Sequence, residues 1–321
     1  MSFDLILPFL RPIEPLLLDE SISEIMGNPD ASWWYERDGI MRREETISFD
    51  AGKLRTGLEV IANQLGKKLD EDNPVLNAQL PDGSRLAAVI PPVVRPSPAL
   101  TIRKFTSRHY TVDDLIARGT LTRPLADFLA EQIRSGKTLL ISGGTGTGKT
   151  TLLRILADFI PEQDRIVVIE DTSELHIQKP NILAVECQTD TFKANISFDD
   201  LLKSALRWRP DRIILGEVRG IEARTLLDSF NTGHAGSLAT IHANSAEKAL
   251  RRFANLVMRN HAQSTFADTE AEIGEAVDFV VHVERQPGRR IIHEVLALRG
   301  YDRDAKRFQI EPVFEAQHGK P

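Results

Sequence analysis

Cysteine is nearly absent: the 321 residues contain one, Cys187. A single thiol excludes internal disulfides and any four-cysteine zinc module, and it fits a reducing compartment. Cys187 itself reads as a small, partly buried hydrophobe. Long apolar runs are missing as well, for none approaches the ~20 residues that a membrane-spanning helix needs. The leucine-rich start, Met1 to Leu18, is broken by Asp4, Pro8, Arg11, Pro12 and Pro15, and it lacks the basic leader of a signal peptide. It is expected either to pack on the first domain or to offer an apolar surface to a membrane-embedded partner. Positive charge is in deficit, with 40 Lys and Arg against 46 Asp and Glu and a formal net charge of -6. That balance argues against a dedicated nucleic-acid binder, which is usually basic. Repeats and low-complexity tracts are also lacking. What remains is globular, 41% hydrophobic and 27% charged, and long enough for two domains.

Against this background one stretch stands out, residues 138–151. Leu139-Leu140-Ile141 reads as a buried strand and breaks into Gly143-Gly144-Thr145-Gly146-Thr147-Gly148-Lys149-Thr150, which fits G-x-x-x-x-G-K-[ST] at every fixed position. The glycines let the backbone fold back and aim successive N–H groups at phosphate oxygens. A helix predicted over 148–159 adds the positive end of its dipole, with Thr151 in its first turn. Lys149 is placed to reach the β- and γ-phosphates, and the Thr150 hydroxyl to ligate Mg²⁺. The motif predicts a nucleoside-triphosphate site.

The rest of the chain frames that site. Residues 1–105 read as a compact α+β domain. In it a short amphipathic helix through Leu16, Ile22 and Met26 ends at Gly27, a strand covers 32–36, and a helix runs from about Ala51 to Leu69. Two more strands are predicted at 85–90 and 99–105. Residues 106–122 are polar and read as a linker with a short helix around 113–118. From Thr122, a plausible N-cap, helices and strands alternate to residue 259, with strands at 138–142, 166–170, 183–186, 212–216 and 237–241. That alternation predicts an α/β fold, a mostly parallel sheet flanked by helices. The end, residues 278–314 with a turn at Gln286-Pro287-Gly288, reads as an antiparallel appendage.

Three further segments can serve the phosphate loop. Arg165 to Ile169 is an apolar strand ending in Glu170-Asp171-Thr172-Ser173-Glu174. Carboxylates at the carboxyl end of a parallel strand sit where such sheets bind ligands. There Glu170 could hold Mg²⁺ through water, polarise the attacking water, or simply cap a turn. Arg212 to Glu217 is a second strand with an acid at its exit, and glycine stands where the usual aspartate would be. Glu217 is then left to serve the metal's water shell, to act as base, or both. Third, His234 and His242 flank a small-residue strand. No further ligand completes a metal set with them. His234 reads as a γ-phosphate sensor or a coupling residue to a neighbouring subunit, while His242 reads equally as functional or as structural.

In this order the segments resemble the secretion-type (type II/type IV) traffic ATPases, relatives of the RecA-like P-loop fold. The counterparts are that family's Walker A loop, Asp box, glycine-containing Walker B strand and His box. Ser23–Asp30, Leu80–Arg85, Ile90–Val94 and Thr101–Lys104 are similar to N-terminal motifs of its conjugative-transfer, TrbB-like branch.

The resemblance implies a PAS-like N-terminal domain over 1–105, a linker over 106–122 and a RecA-like ATPase domain over 123–321. It implies a homo-hexamer binding ATP and Mg²⁺, without direct nucleic-acid contact. Such a protein would be cytoplasmic and peripheral to the inner membrane, partnered by inner-membrane components of a secretion complex. It also implies that Arg103 and, less directly, Arg85 neutralise charge on the γ-phosphoryl group. The single cysteine departs from the Cys-x-x-Cys zinc module of type II enzymes, and the C-terminal signature of pilus-retraction motors is not visible. A pilus or Tad-type assembly ATPase, a RecA-like nucleic-acid translocase and a non-catalytic scaffold stand as rival readings.

Overall fold

The structure, a computed structural model, describes residues 7–37, 39–105, 110–188, 195–259, 264–286 and 289–316. The chain divides into two compact units, Met1–His109 and Tyr110–Pro321.

The first unit begins with two 3₁₀ turns and α1 (Glu14–Leu18). The helix expected to continue to Met26 stops there. The Asp19 carboxylate accepts from the Ser21 N–H at 2.9 Å, and the Ile22 N–H turns back to the Asp19 carbonyl. Such Asx geometry competes with the helix. The chain leaves it as β1 (Ile22–Gly27), which inserts between two other strands and buries Ile22 and Ile25 completely. β2 (Trp33–Arg37), β3 (Ile40–Glu44), α2 (Ala51–Gln64), β4 (Val75–Gln79), β5 (Arg85–Val89) and β6 (Ala99–Arg103) complete the unit. The sheet is antiparallel throughout, in the order β3-β2-β1-β6-β5-β4. Leu54, Leu58 and Ile61 of α2 share one core with Trp33, Leu86 and Ile102 of the sheet. β3 and β4 were not foreseen: Ile40-Met41-Arg42-Arg43-Glu44 is mostly charged and has no apolar alternation.

The second unit starts inside the expected linker. Residues 106–109 lie outside the described residues. From Tyr110 onward the chain belongs to the larger unit, where α3 (Val112–Ala117) buries Leu115 and the following turn buries Leu121. A Thr111–Asp114 capping box fixes the start of α3, and Thr122 caps α4 (Arg123–Arg134) as expected. Then follow β7 (Leu139–Gly143), α5 (Lys149–Ala157), β8 (Ile166–Glu170), β9 (Ile182–Glu186), α6 (Phe198–Ala205), β10 (Arg212–Val218), α7 (Glu222–Asn231), β11 (Leu238–His242) and α8 (Ala246–Met258). α9 (Phe266–Ala276), β12 (Phe279–Gln286), β13 (Arg289–Asp302) and β14 (Arg307–Glu315) close the unit.

These strands form one sheet in the order β14-β13-β12-β7-β11-β10-β8-β9. β7 shows why the sheet is covered on both faces. Leu140 belongs to the core under α6–α9, while Leu139 and Ile141 belong to the core under α3–α5. One expectation needs correction. β12 is no appendage, because it pairs in parallel with β7, Phe279 opposite Leu139 and Val283 opposite Gly143. Only β13 and β14 run antiparallel beyond it. α9 went unforeseen because Phe266-Ala267-Asp268-Thr269-Glu270-Ala271-Glu272 gives little helical periodicity.

Among the described residues no helix is long and apolar enough to cross a membrane.

Candidate active site

The carboxyl ends of β7, β8, β10 and β11 lie side by side. His242 pairs with Gly143, and Leu215 pairs with Ile169. The phosphate loop, Glu170, Glu217 and His242 therefore share one edge of the sheet, where α/β folds bind ligands.

The loop has room for nothing but glycine at Gly143, whose added Cβ would lie 2.5 Å from the Val283 carbonyl oxygen and 2.6 Å from Thr147 Oγ1. Gly146 and Gly148 sit at φ +70° and +91°, the left-handed region that an L side chain resists. Gly148 is the N-cap of α5, and no side chain caps that helix. Its leading N–H groups, at Lys149, Thr150 and Thr151, are therefore of the kind that suits an anion. Lys149 is 7% exposed and its Nζ donates to the Gly144 carbonyl at 2.8 Å; Thr147 Oγ1 donates to the same oxygen at 3.0 Å. The Gly144 carbonyl thus holds the Lys149 ammonium inside the loop.

The two acids differ in character. Glu170 is 5% exposed, and its Oε1 accepts the Glu174 and Leu175 N–H groups, both at 3.0 Å. Burial outweighs those bonds and pushes its carboxyl up to about 7. Glu170 therefore anchors its own Asp-box loop. Glu217 is more open. Its Oε2 accepts from Arg219 Nη2 at 2.8 Å and its Oε1 lies 3.1 Å from His242 Nε2. Burial pushes the Glu217 carboxyl up, but the bond and charge of Arg219, then His242 and Lys149, together hold it below the usual carboxylate range. Arg219 also reaches Asp171 Oδ2 at 3.3 Å.

His242 is what the sequence left undecided. Its Nδ1 lies 3.4 Å from Lys149 Nζ, so one imidazole joins the loop lysine to Glu217. Burial, then the charge of Lys149, holds its pKa below the ordinary value. With Nδ1 accepting from the ammonium, the ring proton belongs on Nε2, the nitrogen that lies nearest Glu217. The signal was available: the exit of a parallel strand picked out Glu170 and Glu217, and His242 occupies the same exit on β11.

His234 stands apart from the other predicted site residues. It precedes β11 at the end away from the loop, where its N–H donates to the Ser229 carbonyl and its own carbonyl accepts from Ser237 Oγ at 2.7 Å. Within the subunit it therefore does not join Lys149, Glu217 and His242 at the loop end of β11. Its Nδ1 is buried without a partner among the described residues. The small residues around it have a structural cause, because Arg212 passes directly over Gly236 on its way to Asp164.

Arg85 and Arg103 lie in the first unit, where they are cross-strand partners on β5 and β6. Arg103 is 53% exposed and 3.7 Å from Glu24 Oε1. Among the described residues no three His, Cys, Asp or Glu side chains gather as a metal-binding group. A divalent cation here would rest on the Thr150 hydroxyl, the nucleotide's phosphates and the ionised Glu217 through water, a donor set that suits Mg²⁺. Glu170, its carboxyl pushed up by burial and its Oε1 committed to two backbone N–H groups, suits that role less.

Comparison with known proteins matches this geometry to a family. A family model described as "Type II/IV secretion system protein" matches residues 10–304. A conjugal transfer protein TrbB of Rhizobium radiobacter is 38% identical over 288 residues, covering 88% of this chain and 85% of its own. The type IV secretion system protein PtlH of Bordetella pertussis is 33% identical over 307 residues, covering 87% and 90%. Among solved structures, the VirB11 ATPase of the Brucella suis type IV secretion system superposes with a TM-score of 0.51 at 28% identity, over 91% of this chain and 94% of that one. The chain belongs to the type II/type IV secretion ATPase family, in its conjugative-transfer, TrbB-like branch.

Proposed function

We propose that this chain hydrolyses Mg-ATP, and that a homo-hexamer of it works at the cytoplasmic side of the inner membrane for a type IV secretion or conjugative-transfer complex. The observation that carries the reading is the chain of contacts Lys149–His242–Glu217–Arg219 at the mouth of the phosphate loop. It sets a carboxylate whose pKa is lowered by Arg219 beside an imidazole whose pKa is lowered by burial, both next to the loop lysine. Glu217 is thereby able to take a proton from an attacking water, the task of a general base. Lys149 turns from the Gly144 carbonyl to the phosphates, and the N–H groups of residues 144–151 stabilise charge on them. Thr150 and, through water, Glu217 would hold Mg²⁺, which would neutralise charge on the nucleotide's phosphates. His242 orients Glu217, and Glu170 keeps the Asp box in place. Arg103 and Arg85 are the candidates for neutralising charge on the transferred phosphoryl group. Support comes from the Brucella suis relative, whose structure is a complex with sulphate, a phosphate-like dianion. Inner-membrane components of the complex are the expected partners, and direct nucleic-acid contact is not part of the reading.

The test is Mg-ATP turnover per subunit across a range of protein concentrations, with Lys149→Ala as the blank. Turnover that rises with concentration and vanishes in the variant is expected of a site completed by assembly. Nucleotide binding without phosphate release at any concentration would leave a scaffold in place of a motor.

A further inference from the structure

The phosphate loop has a neighbour that its motif does not announce. β12 runs parallel to β7 beside the loop's first glycine and turns back as β13. The hairpin carries Arg285 and Arg290, which are cross-strand partners. Both lie against the loop. Arg290 Nε donates to the Gly146 carbonyl at 3.1 Å. A Cβ built on Gly146 would come 3.6 Å from Arg285 Nη1, and one on Gly148 would come 3.2 Å from Arg290 Cδ. Each of the loop's left-handed glycines thus has a hairpin arginine packed over it.

We infer that Arg290 is a positioning residue and Arg285 a charge-supplying residue of the same subunit's phosphate site, acting on the phosphates of a bound nucleotide and not on its base. The inference rests on the reading that this loop binds ATP. A trans peptide points its C=O and the next N–H in opposite directions. Fixing the Gly146 carbonyl on the hairpin side therefore turns the Thr147 N–H to the other side of that peptide. A loop that binds anions must keep its carbonyls out and its N–H groups in. The Arg290 bond does this at Gly146, one of the loop's two left-handed residues. Two guanidinium groups beside the loop also add positive charge in a chain whose net charge is -6.

The experiment is calorimetric titration of the full-length protein with inorganic pyrophosphate and, separately, ADP. Wild type, Lys149→Ala, Arg285→Ala, Arg290→Ala and Arg290→Lys are compared, each after a thermal melt without ligand. Arg290→Ala is expected to weaken pyrophosphate and ADP by the same factor, about tenfold for one lost charge-assisted bond. Arg290→Lys recovers part of that loss. Arg285→Ala weakens both about threefold and flattens the dependence on salt. Pyrophosphate binding unchanged in Arg290→Ala and Arg285→Ala overturns the inference, as does a loss confined to ADP, which would put the hairpin on the base. If Arg290→Ala does not fold, Arg290→Lys and Arg285→Ala decide it by the same criteria. Lys149→Ala reads the underlying assignment separately: affinity as in wild type sinks the ATP site itself, whereas affinity lost there and kept in the hairpin variants sinks the hairpin alone.

Discussion

A Cβ placed on Gly216 would lie 3.3 Å from Cγ of Glu170 and 3.5 Å from the Ile169 carbonyl oxygen. The two residues follow the paired Leu215 and Ile169 on adjacent parallel strands. The glycine that stands in the aspartate's place on the Walker B strand therefore leaves room for a buried acid on the neighbouring strand. The space a Walker B aspartate would take is thus filled by the Glu170 side chain, which spends its carboxylate on the Glu174 and Leu175 N–H groups.

Gly216→Asp would restore the usual residue and put two carboxyls in one space. Glu170 cannot step aside without releasing the Glu174 and Leu175 N–H groups. Overpacking of this kind costs ~1–3 kcal/mol, and like charge pushes both carboxyls further up. A clear fall in melting temperature is expected, smaller for Gly216→Ala, and partly reversed by Glu170→Gln in the aspartate variant. Wild-type stability in Gly216→Asp would mean the strands are free to part here.

Glu170 should also leave a mark on the pH dependence of stability. Its carboxyl is pushed from 4.5 up to about 7 by burial. Between these values the folded state binds a proton that the unfolded state has lost, so this group's contribution is full below about 4.5 and is lost as pH rises through 7. The change across that window is on the order of 3 kcal/mol. Glu170→Gln removes it. Melting temperatures of the two proteins at pH 5 and pH 8 are expected to converge on the acid side and to diverge, with the variant more stable, on the alkaline side.

Turnover separates the two histidines and the base. Glu217→Gln is expected to keep nucleotide affinity and to lose ~10²–10⁴ in kcat, the range of a general base. His242→Ala frees Glu217 from one of its two partners and should cost kcat more than KM, by about one to two orders of magnitude for a group that orients the base. His234→Ala, at the far end of β11, should change kcat less than about threefold, in keeping with additivity of distant sites. Equal losses in the two histidine variants would contradict the placement of His234.

Much of this was legible in the sequence, and the reasons are physical. A phosphate loop is read reliably because its glycines, lysine and threonine are fixed by local backbone geometry. Strand exits at Glu170 and Glu217 were equally plain, since buried parallel strands are continuous apolar runs. Three features needed the fold. That Glu170 is an anchor depends on burial, which a motif does not carry. The choice between His234 and His242 depends on which end of β11 meets the loop, and this follows only from the pairing of His242 with Gly143. Arg285 and Arg290 lie 135 residues or more downstream of the loop and join it through the β12–β7 pairing, a contact without local signal.

The small residues of the His box give the last test. Gly236 has φ +81°, and a Cβ there would fall 1.4 Å from Arg212 Nη1 and 2.9 Å from the Gly136 Cα. The Arg212 side chain is 9% exposed and its Nε donates to Asp164 Oδ2 at 2.7 Å. Gly236→Ala must therefore expel a guanidinium from a mostly buried pair as well as strain the backbone. Leaving one partner of such a pair behind costs ~3–5 kcal/mol, and the left-handed alanine adds about 1. If the obstruction is the cause, the cost should shrink once the arginine is gone. In an Arg212→Ala background, itself destabilised, Gly236→Ala should cost little beyond the backbone strain and the approach to Gly136. A double-mutant cycle read by denaturant unfolding is thus expected to show a coupling of at least ~2 kcal/mol. Additive losses would show that Gly236 is required by its backbone conformation alone, and that the path of Arg212 has no part in the composition of the box.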